Sequence, residues 1–149
     1  MIANPTPIQA ATFNGMWITM LQLIFPTTEK PRGLIQGRLL PYDGSTLLAL
    51  GGKDARTSIP SQDAQTTAML ASLEAEAQRL ANTTAPVRSI QVFAGDPAKP
   101  VFAQFVFVGV KAPHRIADCF ALAATDTVFA GVLNATMAEV ARIAGLQVV

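Results

Sequence analysis

Two stretches of the chain are apolar at nearly every position, and they set its expected organisation. Met16–Phe25 reads MWITMLQLIF, is rich in β-branched and aromatic residues, and stops at Pro26, so it predicts a strand. Both alternation sets are apolar: Trp17, Leu21, Leu23 and Phe25 on one side, Met16, Ile18, Met20 and Ile24 on the other. Val101–Val110, VFAQFVFVGV, holds a single polar residue, Gln104. A strand with one wet face should alternate, so this pattern predicts a central strand covered on both faces.

Between these lie weaker signals. Leu34–Leu40 and Thr46–Leu50 flank Pro41-Tyr42-Asp43-Gly44, which predicts a hairpin, and Gly51–Pro60 reads as a polar connection. Leu70, Leu73, Ala77 and Leu80 recur at helical spacing, which predicts a helix over Gln62–Ala81 capped by Ser61. Glu76 and Arg79 lie off that stripe and can pair at i,i+3. Val87–Phe93 pairs with Val101–Val110 across a Gly95–Pro100 turn. Pro113 predicts a short helix reaching Ala124.

A last helix is expected over Asp126–Ala144, with Phe129, Val132, Leu133, Met137, Val140 and Ile143 on one face. Gly131, Ala135, Ala138 and Arg142 form the other. Thr136–Glu139 matches a capping box, so a break near Asn134 is expected. Gly145 stops the helix.

The predicted fold is α+β: a five-stranded, mainly antiparallel sheet in the order βββ-α-ββ-αα, with helices packed on it. Residues 1–12, with Pro5 and Pro7, read as an extended arm, and 13–149 as one domain. No internal repeat is visible.

Composition sharpens this picture. Of 149 residues, 50% are hydrophobic and only 14% charged, and the mean hydropathy is +0.35. A globular chain is about a quarter charged, so this one is short of charge. The net charge of +1, with cations scattered, argues against nucleic acid as a partner. No stretch approaches the roughly 20 apolar residues of a membrane span. The N-terminus has no signal-peptide pattern, so cytoplasmic synthesis is expected. The single Cys119 excludes an internal disulfide, and with one histidine a zinc cluster is excluded as well.

Candidate chemistry is sparse. His114 and Asp118 would meet at i,i+4 on a helix, but Cys119 points about 100° away from Asp118, so a histidine-activated thiol fits poorly. No catalytic residue is assigned. Gly51, Gly52, Lys53 and Arg56 form a glycine-rich loop with two cations, a candidate anion site without Walker spacing. Glu74 and Glu76 do not face one another. Asn82-Thr83-Thr84 and Asn134-Ala135-Thr136 match the glycosylation sequon but sit at helix ends.

What remains is apolar surface in excess of what three modest helices can cover. At roughly 25 cal/mol per Å², an uncovered patch drives association. The expected function is therefore a non-catalytic structural subunit that self-associates into a homo-oligomer or larger particle. A bacteriophage virion component (capsid, decoration or tail protein) suits the size and the alanine and threonine content. The expected interface residues are Ile2, Ile8, Trp17, Met20, Phe105 and Phe107. The expected partners are copies of itself and other protein subunits, with no cofactor.

Two other roles are open. One is a small enzyme or ligand-binding domain using Gly51–Arg56, Arg88, His114 and Arg115. The other is an adaptor that adds a peptide strand to the edge of the Leu34–Leu50 hairpin.

Overall fold

A computed structural model describes residues 8–9, 15–95 and 97–148, with side chains for all of these except 8, 9, 147 and 148. Short strands β1 (Ile8–Gln9) and β8 (Gln147–Val148) pair with each other. The main sheet holds β2 (Gly15–Ile24), β3 (Gly33–Tyr42), β4 (Lys53–Ile59), β5 (Val87–Phe93), β6 (Phe102–Phe107) and β7 (His114–Ile116). Helices α1 (Ala64–Ala81), α2 (Cys119–Thr125) and α3 (Thr127–Ile143) complete the fold. The α+β class and the antiparallel sheet match expectation, but the sheet has six strands rather than five, in the order β4-β3-β2-β5-β6-β7.

Both extra-strand discrepancies have a local cause. β4, KDARTSI, is an edge strand whose inward residues are Ala55 and Ile59, while Asp54 and Arg56 sit on the outer side. An edge strand needs little apolar surface and uses charge to deter foreign pairing, so it reads as a polar loop. β3 pairs with β4 along Gly33–Leu39 and meets Thr46–Leu50 only at its end, through an antiparallel bridge of Tyr42 with Leu47 and a bond from the Leu48 N–H to the Pro41 carbonyl at 3.0 Å. The predicted turn does form: the Asp43 carboxylate accepts from the Thr46 N–H at 2.7 Å and the Ser45 N–H at 2.9 Å. β7 is only three residues long and lies where a helix is predicted. The helix begins later because the Asp118 carboxylate caps the N–H groups of Phe120 and Ala121, each at 3.1 Å.

The other two helices also start on aspartates. Asp63, not Ser61, caps α1, and Asp126 caps α3. α3 runs unbroken through Asn134 because the Thr136 hydroxyl donates back to the Val132 carbonyl at 2.8 Å instead of capping a new helix.

Helices and sheet meet on one face only. Leu21, Leu23, Ile35, Leu39, Ile90, Ala103 and Phe105 are buried there against Leu73, Phe129 and Met137. At Gly37 the α3 residue Val140 comes so close that a Cβ would sit 3.2 Å from its Cγ1. Strand β6 is thus central but covered on one face, and its burial alternates strictly. The expectation of two covered faces is corrected.

Folding also reveals a repeat that the strand sequences conceal. Asp63, Glu76 and Arg79 on α1 have the same spacing as Asp126, Glu139 and Arg142 on α3. In that alignment Leu70 matches Leu133, and Asn82 matches Gly145; the latter two both have left-handed backbones just past their helices. Arg79 bonds Glu76 at 2.5 Å and reaches the α3 cap Asp126 at 2.8 Å. Arg142 bonds Glu139 at 2.5 Å and reaches the α1 cap Asp63 at 2.8 Å. Each helix thus lays its C-terminal arginine on its partner's N-terminal cap, a reciprocal clasp between antiparallel helices. Glu76, expected off the buried stripe, is in fact buried beneath this clasp. The two meanders β4-β3-β2 and β5-β6-β7 meet antiparallel at β2 and β5, so the sheet repeats the same approximate two-fold relation.

Candidate functional site

Paired residues on neighbouring strands point to the same side of a sheet, so the register defines the uncovered face. One row crosses all six strands: Arg56, Gln36, Gln22, Gln91, Gln104, Arg115. It reads the same from either end. Five strand spacings separate its terminal arginine positions, or about 24 Å. Beside it runs Asp54, Arg38, Met20, Phe93, Phe102, in which Arg38 bonds Asp54 at 3.0 Å and the two phenylalanine rings stack at 6.0 Å. On the other side run Ser58, Leu34, Ile24, Ser89 and Val106. Among the described residues no helix or strand lies over these rows, but Thr27, Glu29, Lys30 and Arg88 flank a surface pocket of about 330 Å³ over Gln22, Ile24, Ser89 and Gln91. The four glutamines, Met20, Ile24 and Val106 are half-buried, and Phe93 is 47% exposed.

The expected interface residues divide. Met20 lies on the open face. Trp17, Phe105 and Phe107 are buried by this chain's own elements, so they are core residues and not a contact surface. Trp17 meets Tyr42 and Phe120 edge-on, and its indole N–H donates to the Ala94 carbonyl. Ile2 falls outside the described residues. At Ile8 the backbone pairs with this chain's own Val148.

The glycine-rich loop does not gather its cations. Lys53 pairs with Leu39 and Arg56 with Gln36, so the two point to opposite sides of the sheet. Gly52 answers to packing instead: a Cβ there would lie 2.9 Å from Leu40 Cδ2 and 3.2 Å from the Leu39 carbonyl. The edge expected on the Leu34–Leu50 hairpin is also displaced, since β3 is interior and the charged β4 forms the edge.

His114 is on β7 and not on a helix; it stacks on Phe105 with ring centroids 6.1 Å apart. Cys119 opens α2 from within the core, and its N–H donates to the Val101 carbonyl at 2.8 Å. Burial pushes the thiol up to about 12, with the Asp118 charge acting in the same direction. Iodoacetamide at pH 8 is expected to leave native Cys119 unmodified and to alkylate it in denaturant, by intact mass; rapid native labelling would refute the buried placement.

The clasp is the main ionised cluster. Hydrogen bonding from Arg142 is the largest influence holding the Asp63 and Glu139 carboxyls below their usual range, and Arg79 does the same for Asp126. Thr66 adds a bond to Glu139 at 2.6 Å. Each carboxylate is thereby satisfied by structural partners, so the cluster holds helices together.

The cavity between sheet and helices is almost wholly apolar and encloses only about 40 Å³, too little for a substrate. None of Gly51–Arg56, Arg88, His114 or Arg115 lines it. Among the described residues no three His, Cys, Asp or Glu side chains are placed to share a metal ion, and no helix is long and apolar enough to cross a membrane. Among the described residues the open sheet face is left without a structural explanation. The glutamine row is not visible in sequence because its members are single residues scattered over four predicted strands, a segment that reads as a loop and one that reads as a helix. No protein-family model, curated protein or solved structure matches this chain.

Proposed function

We propose that this protein is a non-catalytic assembly subunit that self-associates, through the open face of its six-stranded sheet, into a homo-oligomer or a larger particle of the virion type. The observation that supports this is the one-sidedness of the fold. The helices cover one face, while the other carries Met20, Ile24, Leu34, Phe93, Phe102 and Val106. Two apolar rows flanking a glutamine row, with Phe93 exposed, are costly to leave in water and mark a contact surface. Arg56 and Arg115 lie on the outer strands, while Arg38 on β3 is paired with Asp54.

The peptide-adaptor role has weaker support, since the β4 edge carries Lys53, Asp54 and Arg56, which discourage strand addition. The ligand-binding role draws less support from its loop, whose cations diverge, than from Arg88, which lines a surface pocket with Gln22 and Gln91.

Sedimentation velocity on the full chain tests the proposal. Wild type should sediment as an oligomer at micromolar concentrations. Phe93→Glu should sediment as a single chain of 15.7 kDa with an unchanged melting temperature at low concentration. A wild type that stays monomeric up to about 100 μM, weak even for a transient complex, would end this reading.

A further inference from the structure

Resting on the assembly proposal, we infer that the occupant of the open face is a second copy of this chain, docked so that the approximate two-fold axes of the two copies coincide. Three observations lead there.

The strand arrangement and the central row of the face are two-fold symmetric, although the flanking rows differ in residue type. The axis passes between Gln22 and Gln91, which are paired across β2 and β5. It exchanges Gln36 with Gln104 and Arg56 with Arg115. The helix clasp obeys the same exchange, so the symmetry belongs to the whole fold. A row with two equivalent halves is best matched by a row with two equivalent halves. A second copy has them by construction, and a two-fold contact between copies is self-complementary.

The chemistry of the row is also self-complementary. A glutamine side chain both donates and accepts, so a glutamine row can bond another copy of itself without a change of charge. The paired positions of β2, β5 and β6 on this face are uncharged, and the Arg88 and Lys30 cations beside Gln22 and Gln91 are accompanied by Glu29, unlike the run of cations a phosphodiester backbone would require. Arg56 and Arg115 stand on the outer strands, where they stay solvated at the rim.

The size is adequate. Six strands at about 4.8 Å and three rows at about 7 Å give roughly 600 Å² per copy, or roughly 1,200 Å² for the pair, within the range of specific interfaces.

Symmetry makes the test sharp. Gln22→Glu and Gln91→Glu place the new charge at equivalent points beside the shared axis, where it faces its own image. Each should raise the dimer dissociation constant by at least tenfold, and the two factors should agree within about threefold. Val128→Glu, on the helical side at a residue 55% exposed, should leave the constant unchanged. Melts at dilute, monomeric concentration establish that each variant is folded.

If wild type never dimerises, the assembly reading fails and this inference with it. If Phe93→Glu dissociates the dimer but the two glutamate variants do not, or act unequally, assembly through this face stands and the coincident axes are refuted. Tight binding of a labelled single-stranded oligonucleotide by a monomeric wild type would also refute it, by assigning the face to a different occupant.

Discussion

Trp17→Ala lowers the unfolding free energy by about 3–5 kcal/mol, the usual cost of truncating a large buried aromatic residue. Trp17 is fully buried on β2, beside the register shift between Ile18 and Met20. Its ring touches Tyr42 at the end of β3 and Phe120 on α2, with centroids 5.4 and 5.8 Å away. One side chain therefore joins both meanders and a helix, and its indole N–H satisfies the Ala94 carbonyl just past β5. Alanine would leave a void and an unpaired buried carbonyl together. Trp17→Phe keeps most of the volume and loses the donor, so it should cost about 1–3 kcal/mol. Urea denaturation measures both. Equal losses for Phe and Ala would show that the hydrogen bond, not the packing, dominates. No loss for Ala would contradict the burial itself.

The clasp provides the second large effect, and its pH dependence has a definite sign. Removing either arginine strands a buried carboxylate, which is far costlier than losing an exposed ion pair. Arg142→Met leaves Glu139 with its Thr66 bond, and the melting temperature at pH 7 should fall on the order of 5 °C. Arg79→Met should cost more, because among the described residues Glu76 accepts hydrogen bonds from Arg79 alone.

In wild type, Asp63, Asp126 and Glu139 have depressed folded-state values, so their stabilisation is present above about pH 4.5. It is lost as pH falls through those depressed values. In Arg142→Met the cation that lowers Glu139 and Asp63 is gone, so the variant has less to lose in acid. The gap between variant and wild type should therefore narrow from pH 7 toward pH 3, as followed by thermal melts. A gap independent of pH would show that the arginine acts through its methylene stem and not its charge.

Much of the fold is legible along the chain because local patterns dictate it. Hydrophobic runs at Met16–Phe25 and Val101–Val110 announced β2 and β6, and the 3-4-3 spacing around Leu73 announced α1. The errors fell where local pattern is weakest. Edge strand β4 needs only Ala55 and Ile59 inward, so its charges read as a loop. Strand β7 is too short for any period, and Pro113 before it resembles a helix start. Trp17, Phe105 and Phe107 were expected at an interface because apolarity shows that a residue seeks burial without showing what buries it.

The amino-acid pattern alone determined that this is an α+β chain with an apolar antiparallel sheet, few charges and no motif-borne chemistry. Periodicity and propensity act over a few residues, and those properties are local. Only the tertiary structure decided that all the cover lies on one face and that Arg79 and Arg142 clasp each other's helices. It also aligned four glutamines and two arginines into one symmetric row. These features depend on register between segments dozens of residues apart, and a shift of one residue in any strand would turn its part of the row into the core.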